Sequence, residues 1–194
     1  NPSTRVHSSP KPTQPDRSTK GVRNCIPQKL TSSRSTSRAE SNMLKIVLYQ
    51  PEIAPNTGNI IRLSTNCGAD LHLIAPLGFE LDDRRLRRAG LDYTEWSRIS
   101  VHDSFDAFVE SQQPARVCAF TTKAPTSFAD VRYATGDCLL FGPETRGLPQ
   151  ELLCAAELQV RIPMRPDSRS LNLSNAVAVA CYEVWRQQQF AGAQ

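Results

Sequence analysis

Short apolar runs alternate with amphipathic or charged segments through most of this chain, and this alternation restricts the fold more than any other feature. Three runs are strongly apolar: LKIVLY at 44–49, VCAFTT at 117–122 and CLLFG at 138–142. Runs of this length are typical of strands that are buried on both faces of a parallel sheet. LHLI at 71–74 and LQVRIPM at 158–164 extend the series of predicted strands.

Helical segments lie between these strands. NTGNIIRLSTNCG at 56–68 has Asn56 as a candidate N-cap and Gly68 as a helix stop. Further helices are predicted at 81–90, at 104–111, at 149–156 and from about Leu173 to Gln188. Because strands that alternate with helices pack as a sheet with helices on its faces, we predict an α/β fold with a mostly parallel sheet.

The positive charge of the chain is concentrated at one end. The 194 residues have a formal net charge of +4, but residues 1–42 hold eight of the 23 basic residues and only two of the 19 acidic ones. This segment is rich in Ser, Thr, Pro and Arg, a composition that buries too little apolar surface to offset chain entropy. We interpret 1–42 as a disordered basic extension and 43–194 as one domain. The extension is either sequence upstream of a start at Met43 or an appended segment, with an organellar transit peptide as the alternative.

Cysteine and histidine content bears on location and metals. None of the six cysteines forms a C-x-x-C pair, and the three histidines lack the spacing of metal ligands. We therefore expect free thiols, a cytoplasmic location and no metal site. No run approaches the ~18 apolar residues of a membrane span, so we expect no membrane partner.

Three polar segments that contain Gly or Pro directly follow predicted strands. They are QPEIAPNTGNIIR at 50–62, FGPETRGLP at 141–149 and IPMRPDSRSLNLSN at 162–175. Open α/β sheets bind ligands beyond the carboxyl ends of their strands, so we expect one composite site. The third segment has more Ser and Asn side chains than a helix cap requires, which favours an added role at a ligand. The chain has no G-x-G-x-x-G, no P-loop and no G-x-S-x-G, so ordinary dinucleotide binding and hydrolase chemistry are disfavoured.

These segments resemble the three motifs of the SPOUT superfamily of RNA 2′-O-ribose methyltransferases. The matching stretches are NTGNIIR, GPETRG, and IPM followed by SLNLSNA. Over 43–194 the chain is most similar to the small bacterial members that methylate the wobble nucleotide, a cytidine or modified uridine, of leucine tRNAs. The resemblance implies a C-terminal deep trefoil knot, S-adenosylmethionine (SAM) as methyl donor, no metal, and a homodimer joined through the 56–67 and last helices.

Carried over by position, the resemblance implies which residues form the site. The implied cofactor pocket contains Phe120, Thr121, Gly142, Gly147, Ile162, Met164, Ser170, Leu171 and Asn172. The implied catalytic set is Arg62, Asn56, Glu144 and Ser174. The resemblance also implies that Tyr182 supports tRNA binding or the dimer contact, and Lys45, Arg165 and Arg169 are further candidate tRNA contacts.

Two members of the catalytic set carry a physical expectation. Arg62 stays protonated at neutral pH, so we expect it to contact a phosphate and stabilise charge on the 2′-oxygen while water takes the proton. Without the motif, Arg62 would be read as a solvated helix residue. Glu144 follows Gly-Pro in a tight loop and is expected to bind backbone N–H groups or Arg146.

A run of arginines adds to the expected RNA surface. Arg84, Arg85, Arg87 and Arg88 precede Tyr93 and Trp96. Clustered guanidinium groups beside aromatic rings suit phosphate contacts with base stacking, although charge runs are more often solvated faces. Of these, Arg84, Arg85 and Arg88 are the predicted tRNA contacts.

Three alternative functions remain open on the sequence alone. The first is 2′-O-methylation of another tRNA position or of ribosomal RNA. The second is a SAM- or RNA-binding module without catalysis. The third is a generic nucleotide-binding α/β protein, which the missing phosphate loops disfavour.

Overall fold

A seven-stranded parallel sheet forms the centre of the computed structural model, which describes residues 44–81 and 98–194. The strands are β1 (Lys45–Tyr49), β2 (Asp70–Ile74), β3 (Ile99–His102), β4 (Arg116–Phe120), β5 (Thr126–Ser127), β6 (Asp137–Phe141) and β7 (Leu158–Arg161). Their order is β3-β2-β1-β6-β4-β7-β5, and each neighbouring pair is parallel. The predicted α/β fold with a mostly parallel sheet is confirmed.

Helices cover both faces of this sheet. They are α1 (Ala54–Cys67), α2 (Phe105–Gln112), α3 (Gln150–Ala155) and α4 (Leu173–Gln187), and a short 3-10 turn spans Phe128–Asp130. Ile46 and Leu48 of β1 share one apolar core with α1 and α4, and the intervening Val47 belongs to a second core with Phe108 of α2. Successive side chains of β1 therefore pack against helices on opposite faces of the sheet, so the strand is buried on both faces.

Helix α1 begins three residues earlier than the sequence pattern predicts. Its N-cap is Ile53, which supplies no side-chain cap, and Pro55 lies in the first turn. Proline is tolerated there because the N–H that it lacks would have no partner inside the helix. The prediction that Asn56 is the N-cap is therefore wrong, and its side chain is available for other contacts. Gly68 does end the helix, with a φ of 68° in the left-handed region.

Side-chain caps fix the starts of two further helices. The hydroxyl of Ser104 accepts a hydrogen bond from the backbone N–H of Ala107 at the start of α2. The side-chain oxygen of Asn172 accepts one from the backbone N–H of Ser174 at the start of α4. Both helices agree with their predicted bounds to within about one residue, which is typical of well-capped ends.

Some sequence predictions differ from the structure or fall outside it. Strands β3 and β5 were not predicted. Cys67, Cys118, Cys138 and Cys181 are free thiols as predicted, whereas Cys154 is disulfide-bonded, which corrects the prediction for that residue. The extension at 1–42 and the predicted helix at 81–90 lie outside the described residues, apart from Leu81. The trefoil knot stays a prediction.

Candidate active site

The loops that follow β1 and β6 diverge at the carboxyl edge of the sheet. β1 lies between β2 and β6; the chain leaves β1 toward β2 and leaves β6 toward β7, on the opposite side. Such a topological switch point opens a crevice between the two loops, and open α/β sheets bind ligands there. The predicted segments at 50–62 and 141–149 contain these two loops.

Glu144 connects the two loops across this crevice. Its carboxylate accepts hydrogen bonds from the backbone N–H groups of Glu52 and Ile53, at 2.9 and 3.3 Å, and from Nδ2 of Asn56 at 3.0 Å. Helix α1 has no acidic residue in its first turn and no side-chain cap. Glu144 therefore places a negative charge at the N-terminus of α1 from a distant part of the chain, where the helix dipole stabilises it. The expectation that Glu144 binds backbone N–H groups agrees with this geometry.

A chain of side-chain hydrogen bonds continues from Glu144 to the third segment. Asn56 is 5% exposed, and its Oδ1 accepts from Nδ2 of Asn172 at 2.9 Å. The Oδ1 of Asn172 accepts in turn from the hydroxyl of Ser174 at 2.7 Å. The order Ser174–Asn172–Asn56–Glu144 thus joins the segments at 162–175, 50–62 and 141–149. Asn172 caps α4 and also ties it to α1, so the polar stretch before α4 does more than cap a helix.

The carboxylate of Glu52, in the loop after β1, makes the reverse connection to the loop after β6. Glu52 accepts from the backbone N–H and the hydroxyl of Thr145, at 3.1 and 2.7 Å, and from Arg146 at 3.3 Å. Arg146 also donates to the side chain of Gln50 at 2.6 Å. The partner of Arg146 is therefore Glu52 and not Glu144, which corrects one of the two expectations for Glu144. The hydroxyl of Thr145 is the main cause that holds the pKa of Glu52 below its ordinary value.

The three segments line one cavity of about 540 Å³. Small-molecule sites commonly have volumes of roughly 300–1,000 Å³. Each of the nine predicted cofactor residues lies in its wall: Phe120, Thr121, Gly142, Gly147, Ile162, Met164, Ser170, Leu171 and Asn172. The rings of Phe120 and Phe141 stack in this wall with their centroids 4.6 Å apart.

Gly142 lies close against the backbone at the end of its own loop. A Cβ atom at this position would lie 2.4 Å from the carbonyl carbon of Gly147 and 2.4 Å from the nitrogen of Leu148. The loop at 142–148 therefore turns back onto its own start, and Gly147 permits this turn with a φ of 69°. Gly142 and Gly147 thus contribute backbone without side chains to the cavity wall.

Other predicted site residues lie away from the cavity. Arg62 is on the exposed side of α1, whereas Ile60 and Ile61 are fully buried. Lys45 is 7% exposed at the amino end of β1, opposite the carboxyl edge, so the structure does not support it as an RNA contact. Arg165 and Arg169 are exposed between β7 and α4, and Tyr182 on α4 is 45% exposed. The predicted contacts Arg84, Arg85 and Arg88 lie outside the described residues.

Comparisons with known proteins agree with this geometry. The model of the SpoU rRNA Methylase family matches residues 43–182. The chain belongs to the SpoU methylase family. The resemblance noted from the three motifs is thereby confirmed, since SpoU methylases are SPOUT proteins and the match spans all three motifs.

Individual SpoU relatives are similar to this chain, two of the three described here over nearly their whole length. The tRNA (cytidine(34)-2'-O)-methyltransferase of Escherichia coli strain K12 is 58% identical over 153 residues, which cover 78% of this chain and 98% of that protein. A solved structure described as "Structural insights into the 2-OH methylation of C/U34 on tRNA" is 50% identical, has a TM-score of 0.70 and covers 76% of this chain and 97% of its own. An AdoMet-bound rRNA methyltransferase from Sinorhizobium meliloti is 26% identical with a TM-score of 0.66, over 74% of this chain and 56% of that one.

Sequence reasoning missed part of this SpoU site. Glu52, Gln50 and Thr145 form the second set of loop contacts, and their only signal was their position inside the two polar segments. Lys123 and Thr122 line the cavity from the turn after β4, next to the predicted Thr121. Within 44–81 and 98–194, no group of three or more His, Cys, Asp or Glu residues could hold a metal ion, and no helix is long and apolar enough to cross a membrane.

Proposed function

We propose that this SpoU-family protein transfers a methyl group from SAM to the ribose 2′-hydroxyl of the wobble nucleotide of tRNA, a cytidine or modified uridine at position 34. Leucine tRNAs are the proposed substrates and the cytoplasm the proposed location. The observation that carries the proposal is the hydrogen-bond chain Ser174–Asn172–Asn56–Glu144, which ties the three matched motifs around one cavity. The 58% identity to a tRNA wobble 2′-O-methyltransferase supports the choice of substrate.

The cavity fits SAM by size and by surface. Its wall combines the stacked Phe120 and Phe141 with Gly142 and Gly147, which carry no side chains. An aromatic surface beside exposed backbone N–H and C=O groups suits a purine ring, which needs apolar contact on its faces and hydrogen bonds at its edge. The hydroxyl groups of Thr121 and Ser170 line the same cavity and suit the polar ribose and amino-acid parts.

The residues of the chain position the reactants. SAM supplies an electrophilic methyl group on a sulfonium when bound. Glu144 already accepts three hydrogen bonds, so its role is to hold the two loops and not to take a proton. The hydroxyl of Ser174 donates a hydrogen bond to Oδ1 of Asn172, which ties the start of α4 to α1. Fixing loops that would otherwise move removes entropy in advance, which is the main catalytic task in a transfer between two bound substrates.

Arg62 enters the site through a proposed homodimer. Its position on the exposed side of α1 keeps it out of the cavity wall of its own subunit. Exposed residues Val179 and Tyr182 on α4 add apolar area on the neighbouring helix, since α1 and α4 pack against each other. A dimer through α1 and α4 forms a tRNA site shared by two copies, where Arg62 binds a phosphate and stabilises charge on the 2′-oxygen while water takes the proton.

A methyl-transfer assay tests the proposal. Labelled SAM is incubated with the protein and unmodified leucine tRNA, and nuclease digestion locates the label. We expect label at the ribose of position 34. Label at another tRNA position, or on ribosomal RNA only, would contradict the proposed target and retain the reaction. SAM binding by calorimetry without transfer to any of these RNAs would favour a binding module.

A further inference from the structure

Two loops at the cavity each hold a carboxylate that accepts hydrogen bonds from the other loop. The first loop follows β1 and the second follows β6. Glu144 in the second loop accepts from the backbone of Glu52 and Ile53 in the first. Glu52 accepts from the backbone N–H and the hydroxyl of Thr145 in the second loop, and from Arg146. Each carboxylate thus fixes the backbone that carries the other, and we call this arrangement the carboxylate clasp.

Within the clasp, Glu52 acts on the cavity from outside it. Thr145 and Arg146 line the cavity, whereas Glu52 does not. The second loop is closed from within by the hydrogen bond from the N–H of Gly147 to the carbonyl of Pro143, at 3.0 Å. Glu52 is the acceptor that pulls Thr145 and Arg146 toward the first loop, so it sets where the closed turn lies.

Charge pairing alone does not explain these contacts. The Arg146–Glu52 pair is 3.3 Å long with side-chain exposures of 59% and 25%, and ion pairs this exposed contribute little to stability. Thr145 is uncharged, yet its hydroxyl makes the shortest contact to Glu52, at 2.7 Å. A carboxylate that accepts from a backbone N–H and from the hydroxyl of the same residue fixes position more than it adds energy.

We propose that Glu52 is a positioning residue for the methyl-transfer reaction, which holds Thr145 and Arg146 at the cavity rim and thereby sets the affinity for SAM without touching it. The inference rests on the proposed function. Without the Glu52 carboxylate, Thr145 and Arg146 lose their contacts to the first loop, while the hydrogen bonds from the first loop to Glu144 remain. SAM binding is therefore weakened while the chemistry of bound substrates is retained.

The test is a set of single and double variants measured by calorimetric SAM binding and by steady-state kinetics. We expect Glu52→Ala and Thr145→Val each to raise the Kd and KM for SAM about tenfold, with kcat at saturation within about twofold. Because both variants break the same contact, the double variant is expected to be no more than about twofold weaker than either single one. Thr145→Ser, which keeps the hydroxyl, is expected to bind SAM as tightly as the unaltered protein.

Glu110→Ala is the matched control, since it removes the same side chain from an exposed position on α2, away from the cavity. We expect it to leave SAM affinity within about twofold of the unaltered protein. Unchanged affinity in Glu52→Ala, or losses that add in the double variant, would overturn the positioning role alone. Absence of SAM binding by the unaltered protein would overturn the proposed cofactor as well, so the two failures are distinguishable.

Discussion

A single methyl group at residue 142 is expected to disrupt the cavity wall. In Gly142→Ala the new Cβ lies 2.4 Å from backbone atoms of Gly147 and Leu148, whereas ordinary contact begins at 3.4 Å. The backbone at 147–148 must therefore withdraw by about 1 Å, because the obstructing atoms belong to main chain and not to a flexible side chain. Overpacking of this kind costs about 1–3 kcal/mol of the free energy of unfolding. Since the displaced backbone lines the cavity, we expect the Kd for SAM to rise at least about tenfold.

Two other glycines provide matched controls for the same chemical change. A Cβ at Gly58 in α1 meets nothing within 4 Å, so Gly58→Ala is expected to raise the free energy of unfolding by about 0.5–1 kcal/mol through helix propensity. A Cβ at Gly147 also meets open space, but its φ of 69° is unfavourable for alanine, at a cost of about 1–2 kcal/mol. Urea unfolding measures the stability of all three variants, and calorimetry measures SAM binding.

Comparing the three variants separates the effect of steric crowding at residue 142 from the effect of an unfavourable φ at residue 147. We expect Gly142→Ala to lose both stability and SAM affinity, and Gly58→Ala to lose neither. If Gly142→Ala unfolded at the same urea concentration as the unaltered protein and bound SAM equally well, the close approach of residues 147–148 to residue 142 would be wrong.

The other predictions concern the cap, a buried histidine, the RNA surface and the transferred methyl. Asn172→Ala removes the cap of α4 and the tether to α1, and is expected to lower the free energy of unfolding by at least about 1 kcal/mol in urea unfolding; an unchanged midpoint would contradict both hydrogen bonds. Burial is the main cause that lowers the pKa of His72 to about 4, so the unfolded chain takes up a proton first as the pH falls. Stability is therefore fully present above about pH 6.5 and decreases toward pH 4, by about 3 kcal/mol in total, and urea unfolding of His72→Gln is expected to show a flatter pH dependence. Replacing Arg165 and Arg169 by Ala is expected to weaken tRNA binding and to reduce the slope of log affinity against log salt by roughly one for each phosphate that these side chains bind; an unchanged slope excludes such binding. Arg62→Lys keeps the charge without the planar fork, and the methylation rate at saturating tRNA is expected to fall at least about tenfold; a retained rate would refute the geometric role.

The sheet and the convergence of the three segments were predictable from local patterns. Consecutive apolar residues in LKIVLY and CLLFG indicate strands buried on both faces, and parallel strands bring their carboxyl ends to one edge. Strand β3 was missed because it is a partly exposed edge strand without a continuous apolar run. The start of α1 was missed because Asn56 resembles a cap, whereas the helix begins before Pro55 and uses Asn56 for a tertiary contact.

The contacts that build the site could not be predicted from local sequence. Glu52 and Thr145 are 93 residues apart, and no periodicity links a carboxylate to a backbone N–H at that separation. The need for glycine at residue 142 depends on where residues 147–148 return, which is a property of the folded loop. The residues of the cavity wall came from resemblance to a family and not from the chemistry of this chain alone.

The contact between Glu144 and the start of α1 also has a consequence for folding and exchange. The backbone N–H groups of Glu52 and Ile53 have their acceptor 92 and 91 residues further along the chain. The residues that lead into α1 therefore gain these contacts only when β6 and its loop are in place, so the two form one cooperative unit. Amide protons at these positions exchange with solvent when the distant loop opens, and any ligand that holds the loop closed slows their exchange. Amide exchange at the N-terminus of α1 therefore measures how often the loop after β6, which forms part of the cavity wall, opens.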